Sequence, residues 1–384
     1  MRNFNFQNPT RILFGRGQIE NIAEQIPADA RILIVAGGGS IRSNGVLDQV
    51  KTALEGRTVH EFWGIEPNPD VSVLLPALDV VRSESIDFLL AVGGGSVIDG
   101  AKFIAAAACA EGDPWAILAK GARVTSALPL GVVLTLPATG SESNGAAAIS
   151  NRETGQKLVF VSPHCFPRFA VLDPETTFSL PPRQVANGIA DAFVHVLEQY
   201  LTYPAGGALP DRLAEALLLT LTEQAPLALR EPSNYEVRAN LMWAANLALN
   251  GLIGQGVPQD WTTHHIGHEL TALFGLDHAR SLAVVLPAVL EARRSQKADK
   301  IRQFGERVFG VHAASEAEAI DATIAHTVAF FESLGIPTRL SAHGISEEAI
   351  PQIVAKLKAN RRLRMGERLD ITPDAAGKIL TLAL

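Results

Sequence analysis

Residues 87–110 read DFLLAVGGGSVIDGAKFIAAAACA: a short branched and aromatic apolar run, three glycines and a serine, then a long apolar segment. An uninterrupted apolar run bounded by glycines is a strand buried on both faces, as in a parallel sheet covered by helices. Glycines after such a strand let backbone approach a ligand, and the free amides and positive end of the following helix attract phosphate. Within this unit Ser96 and Asp99 have the spacing of a capping box at the helix start, a role compatible with ligand binding.

The same grammar stands upstream. RILIVA runs into Gly37-Gly38-Gly39-Ser40 and then, from about Asn44, a helical segment with Val46, Leu47, Val50 and Leu54 on one face. Neither loop is a true GxGxxG, but two strand–GGGS–helix units in one half of a chain predict a Rossmann-like parallel sheet with crossover helices. A third buried strand, GVVLTLPA, ends in the polar cluster Thr139-Gly140-Ser141-Glu142-Ser143-Asn144, at the strand end where open α/β sheets bind ligands. AAAIS–NRETGQ–KLVF reads as a β-hairpin with Lys157 opening its second strand. Pro67-Asn68-Pro69-Asp70 reads as a rigid turn, and Asn68 joins the cofactor-binding candidates.

At VLDPETTFSLPPRQ the pattern changes, and from there to Leu384 almost only helical periodicity remains. The expected fold is therefore α/β plus all-α: a dinucleotide-binding domain over residues 1–178, then a helical metal-binding and catalytic domain over 179–384.

The helical half carries the other chemistry. In GIADAFVHVLEQY, Asp191 and His195 stand four apart, so both leave one face of a helix. In THHIGHELTALFGLDH, His264 and His268 repeat that spacing and His278 follows a turn; four of the chain's ten histidines fall in this segment. A carboxylate with several imidazoles and no cysteine suits zinc or ferrous iron better than calcium or magnesium. Asp191, His195, His264 and His278 are the expected ligands. The segment is not HExxH, since His265 holds the Glu position, and a metalloprotease reading fails. His268 is placed to relay a proton.

Composition narrows the partners. The chain has 384 residues, 47% hydrophobic and 19% charged, with net charge −7, so it is globular, lacks a basic footprint for nucleic acid and takes a small molecule as its default partner. Only Cys109 and Cys165 occur, and the first residues are too polar for a signal peptide. The expectation is a cytoplasmic protein with no membrane segment and no disulfide framework. A nucleotide half and a metal half combine into one reaction: hydride exchange between a nicotinamide and a carbonyl carbon whose oxygen is polarised by the metal, with substrate between the domains.

GGGSVIDGAK (Gly93 to Lys102), TLPATGSES, VLDP, GIADAFVHVLEQY and HxxxH followed by His278 resemble the iron-containing (group III) alcohol dehydrogenase family, in its branch of NADPH-dependent butanol dehydrogenases and broad-range aldehyde reductases. The resemblance runs in order from Phe14-Gly15 to His278 and thins beyond about residue 310. It implies a dehydroquinate synthase-like two-domain fold, a homodimer, and one divalent metal on Asp191, His195, His264 and His278. It further implies a pyrophosphate loop at Gly94, Gly95 and Ser96, cofactor contacts at Thr135, Ser141, Asn144 and Lys157, and His268 near the nicotinamide. Asp99 and Thr139 complete the cofactor set, and Glu198 matches a recurring carboxylate beside the ligands.

NAD-using members of this family place an aspartate after the first strand, which repels a 2′-phosphate. Here the loop is Gly37-Gly38-Gly39-Ser40-Ile41-Arg42, with no acid, a hydroxyl donor and a positive charge, so NADP(H) is expected over NAD(H). Many members read Pro-His-Gly at the last ligand, whereas this chain reads Asp277-His278-Ala279. Zinc is expected slightly ahead of ferrous iron on the Irving–Williams order. The expected activity is reduction of short- to medium-chain aldehydes, reversible to alcohol oxidation. The alternatives are a glycerol-dehydrogenase-like or non-redox dehydroquinate-synthase-like enzyme, or a nucleotide-binding protein without catalysis.

Overall fold

Six strands form one parallel sheet: β1 (Arg11–Phe14), β2 (Arg31–Ala36), β3 (Thr58–Phe62), β4 (Phe88–Gly94), β5 (Leu130–Leu136) and, after the antiparallel hairpin of β6 (Ala146–Asn151) and β7 (Gln156–Val161), β8 (Phe169–Leu172). The computed structural model describes residues 1–384. Successive residues of the central strands bury on opposite faces, as a pleated strand requires. Leu33, Val35, Leu89 and Ala91 enter one core with the Val71–Ser83 and Gly95–Ala108 helices. Ile32, Ile34, Phe88, Leu90 and Val92 enter a second core with residues of the Gln18–Gln25 and Val46–Ala53 helices. Burial on both faces explains why these strands read as continuous apolar runs.

The strand order is β1-β8-β5-β4-β2-β3. From β2 the chain moves outward to β3, and from β4 it moves the other way to β5. The sheet therefore has its topological switch point between β2 and β4, whose ends pair Ala36 with Val92. Both GGGS loops leave the carboxyl ends of these two strands, so the fold puts them side by side where such sheets open a crevice.

Two compact units emerge, and the chain visits each more than once: Gln7–Pro181 with Glu231–Asn246, and Met1–Phe6 with Pro182–Arg230 and Leu247–Leu384. The expected division at 178/179 lies three residues before Pro182 and takes no account of two exchanges. The Tyr235–Leu249 helix gives Met242 to the sheet unit's core and sets Trp243 edge-on to Phe14, 5.8 Å between ring centres. The first residues go to the helical unit, with the Arg2 amide donating to the Gly256 carbonyl. Helical periodicity reports that a segment has an apolar face, not which core receives it.

The helical unit is built from the Pro182–Tyr200, Ala208–Arg230, Thr262–Phe274, His278–Ala292, Ala298–Phe309, Glu316–Ser333, Ile350–Ala359 and Pro373–Leu382 helices. Ile266, Leu270, Val284, Val285, Ile353 and Leu380 share one of its apolar clusters. That cluster fixes the Thr262–Phe274 helix by the face opposite its histidines. No helix is long and apolar enough to cross a membrane.

Candidate active site

From Val185 to Tyr200 every residue of the Pro182–Tyr200 helix is buried, including Asp191, His195 and Glu198. Three charged or titratable side chains inside a buried helix need partners. The Asp191 Oδ1 atom accepts no hydrogen bond. Instead it faces three imidazoles: His195 Nε2 at 3.6 Å, His264 Nε2 at 3.9 Å and His278 Nε2 at 3.6 Å. Ligand atoms held about 2.0–2.2 Å from one ion stand roughly 3.4 Å apart at tetrahedral angles, close to these separations. The donor atoms of Asp191, His195 and His264 lie within 4.8 Å of one another. His278 is outside that mutual group but places its Nε2 on the same Asp191 oxygen, and a carboxylate oxygen with imidazole nitrogens is a donor set that suits a borderline divalent metal.

Local structure orients each ring. His264 stacks on His195, with ring centres 4.7 Å apart. Its Nδ1 meets the Glu198 carboxylate in a short contact, and Glu198 also accepts the amides of Thr263 at 2.6 Å and His264 at 3.3 Å. A carboxylate on Nδ1 fixes the tautomer that leaves the Nε2 lone pair facing Asp191. Burial and the neighbouring Asp260 push the Glu198 pKa up to about 8.

His278 begins the His278–Ala292 helix, and the preceding Asp277 is the anchor. Its Oδ2 accepts from Arg183 Nε at 2.9 Å, Arg183 Nη2 at 2.8 Å and Asn187 Nδ2 at 2.9 Å, all on the Pro182–Tyr200 helix. Burial alone would raise this carboxyl, but the Arg183 and Asn187 bonds hold it below the usual aspartate range. The departure from Pro-His-Gly therefore has a structural use that sequence reading missed. His268 shares the neighbourhood, with ring centres 5.2 Å from His278 and 6.1 Å from His264.

In the sheet unit, Gly39 takes φ +114 before the short Ser40–Ser43 helix, and Arg42 lies over the Trp63 ring at 3.7 Å. The Trp63 indole N–H donates to Glu61, which is paired with Lys51 at 2.7 Å. At the second loop Gly94 and Gly95 open the Gly95–Ala108 helix. A Cβ on Gly95 would lie 2.4 Å from Thr139 Oγ1, so only glycine admits this approach. Ser96 Oγ accepts the Asn68 amide at 3.2 Å, and Lys157 Nζ donates to Asn68 Oδ1 at 2.8 Å. Three separated candidates, Asn68, Ser96 and Lys157, thus meet. Lys157 is buried rather than solvated on a turn.

The expected capping box is absent. The helix begins two residues earlier, at Gly95 with Gly94 as its cap residue, so Ser96 is already inside it and no side chain caps the end. Asp99 turns inward, accepting from Ser141 Oγ at 2.6 Å and the Ala148 amide at 2.9 Å. Lys102, fully buried, donates to Ser141 Oγ at 2.8 Å, Asn144 Oδ1 at 3.1 Å and the Ala146 carbonyl at 2.8 Å. Burial brings its pKa down to about 8 despite Asp99. Ser141, Asn144 and Asp99 are therefore knit around a lysine that sequence reading passed over. Its signal was available: it is the only charge between Gly100 and Ala110. Thr135, on β5, is buried beside this loop-bearing edge.

A parallel sheet with two glycine loops at its switch point, and a separate helical unit with a carboxylate ringed by imidazoles, define a metal-dependent nucleotide-using class. The chain belongs to the iron-containing alcohol dehydrogenase family. Residues 9–174 match the iron-containing alcohol dehydrogenase model and residues 185–374 the C-terminal model of the same family. It is 56% identical to the NADPH-dependent aldehyde reductase YqhD of Escherichia coli over 100% of both chains, and that protein's crystal structure superposes with TM-score 0.99, covering 100% of this chain and 99% of that one. The probable NADH-dependent butanol dehydrogenase 1 of Bacillus subtilis is 41% identical over 94% of each chain. The structure of NADH-dependent butanol dehydrogenase A from Thermotoga maritima is 35% identical, with TM-score 0.95 over 100% and 99% of the chains. The family and the two-part fold read from the motifs are borne out.

Proposed function

We propose that this chain is an NADP(H)-dependent, metal-dependent alcohol dehydrogenase that works as an aldehyde reductase on short- to medium-chain aldehydes. The observation that carries the reading is the Asp191 Oδ1 atom, buried, without a hydrogen bond and ringed by three imidazole Nε2 atoms at 3.6–3.9 Å. Asp191, His195, His264 and His278 would hold one divalent ion. Iron gives the family its name, and a nitrogen-rich set of this kind takes zinc at least as readily, so zinc stays slightly ahead. When bound, the ion supplies Lewis-acid polarisation of the carbonyl oxygen and the nicotinamide supplies the hydride.

The chain's own groups do the rest. Glu198 keeps His264 in the tautomer that offers Nε2, and Asp277 fixes the backbone before His278. His268 would pass a proton between the substrate oxygen and solvent, a role suited to an imidazole beside the ligands. Gly94, Gly95 and Ser96 offer backbone to the pyrophosphate at a helix start, with Thr139 packed against Gly95. Lys157 and Asn68 present a charge and an amide beside Ser96. Gly37, Gly38, Gly39, Ser40 and Arg42 would receive the ribose 2′-phosphate, where an arginine gives charge-assisted hydrogen bonds. Asp99, Thr135, Ser141 and Asn144 shape the loop edge that would support the cofactor.

The test is oxidation of NADPH with butanal by metal-stripped protein, before and after adding Zn²⁺ or Fe²⁺, with NADH in parallel. Turnover restored by metal and strong only with NADPH is expected. Equal turnover without metal, or a preference for NADH, would overturn the reading.

A further inference from the structure

Lys297 stands immediately before the Ala298–Phe309 helix, its side chain 2% exposed. Its Nζ donates to the Leu201 carbonyl at 2.6 Å, Asp260 Oδ2 at 2.6 Å and Glu367 Oε1 at 2.9 Å. Three acceptors use the three N–H bonds of an ammonium. Each acceptor belongs to a different piece of the helical unit.

Leu201 follows the Pro182–Tyr200 helix, so its carbonyl lies at the negative end of that helix. Asp260 acts at the start of the Thr262–Phe274 helix: its Oδ1 accepts the Thr262 amide at 2.9 Å, and its own amide donates to the Glu198 carbonyl at 2.8 Å. Between them Trp261 is held at φ +65. A bulky residue in that region is strained and persists only where its surroundings fix it. Glu367 lies between Met365 and Ile371, which exchange backbone hydrogen bonds.

We propose that Lys297 is a positioning residue for the metal site. Its ammonium ties the carboxyl end of the helix bearing Asp191 and His195 to the amino end of the helix bearing His264, and so holds that ligand pair and His264 in register. This rests on the ligand assignment proposed above. A lysine that only stabilised the fold would leave metal affinity untouched. Lys300 provides the comparison, because it is buried on the same helix but pairs with Asp211 and lies 4.5 Å over the Tyr200 ring, outside the Thr262–Phe274 helix.

Full-length metal-free protein is titrated with Zn²⁺ against a chromophoric chelator for the parent, Lys297→Met, Lys300→Met and His195→Ala, and the melting temperature of each metal-free form is recorded. Lys297→Met is expected to weaken Zn²⁺ binding about tenfold or more, as loss of groups supporting metal ligands does, while Lys300→Met lowers the melting temperature and leaves Zn²⁺ affinity at the parent value. Parental Zn²⁺ affinity in Lys297→Met, or equal weakening in both lysine variants, would overturn the proposal. Parental affinity in His195→Ala would instead remove the ligand assignment beneath it. Should Lys297→Met not fold, Lys297→Arg is read the same way, since a planar guanidinium cannot aim one nitrogen at three converging acceptors.

Discussion

Glu198 shows how one buried carboxylate sets the chemistry of its neighbour. It accepts two backbone amides of the Thr262–Phe274 helix and meets His264 Nδ1, so it orients the helix and chooses the tautomer together. Glu198→Gln keeps the volume but can no longer ionise against His264; about 10–100-fold weaker metal retention is expected, measured as ion content after dialysis against graded chelator. For the cofactor, Arg42→Ala is expected to raise the KM for NADPH about tenfold or more, as loss of a charge-assisted bond does, with the KM for NADH little changed. An equal rise for both cofactors in steady-state assays would detach Arg42 from the 2′-phosphate. Asp191, His195, His264 and His268 were legible because spacing by four puts residues on one helix face. The partners of Lys102 were not: although a lone charge in an apolar helix marks the residue, its acceptors lie 39, 42 and 44 residues along the chain, and no local pattern reports such a meeting.

At the scale of elements, alternating strand and helix grammar located the sheet, and uninterrupted apolar runs told that both faces are covered. What failed was a helix end. Ser96 and Asp99 satisfy the spacing of a capping box, yet the preceding strand delivers the chain in extended geometry at Gly94, and a buried lysine draws the aspartate region inward. Tertiary demand overrode the local rule. Asp70 does cap its element: Oδ1 accepts the Ser72 amide at the start of the Val71–Ser83 helix, and Oδ2 accepts the Arg152 amide from the β6–β7 turn. Burial would raise its pKa, but the Ser72 and Arg152 bonds outweigh that and hold it below the ordinary aspartate value. A carboxyl depressed in the folded state adds stability above its unfolded pKa, about 3.9, and loses it as pH falls through the lower folded value. Asp70→Ala should therefore cost about 1–2 kcal/mol near neutrality in denaturant titrations. The difference should shrink below about pH 4; a gap independent of pH would mean that packing, not the charged cap, accounts for it.

For the whole molecule, the two units give separate predictions. The proposed metal ligands all lie in the helical unit, and ligand that binds the native state stabilises it by about 2.7 kcal/mol at one hundred times its dissociation constant. Calorimetry of metal-free protein with and without Zn²⁺ should shift the transition of the helical unit, and NADPH that of the sheet unit; identical shifts from either ligand would mean that the chain unfolds as one cooperative body. The sequence disclosed two kinds of architecture in order along the chain. It did not disclose that residues 231–246 return to the first, because the contact of Trp243 with Phe14 joins positions more than two hundred residues apart, and Met242 is buried in a core drawn from strands and helices far upstream. That return has a consequence during synthesis. A ribosome that has released residue 181 has delivered every strand of the sheet but not the helix that completes its core. At about 5–20 residues per second the nascent sheet waits several seconds for Met242, and its open apolar socket during that interval is the surface a chaperone would meet.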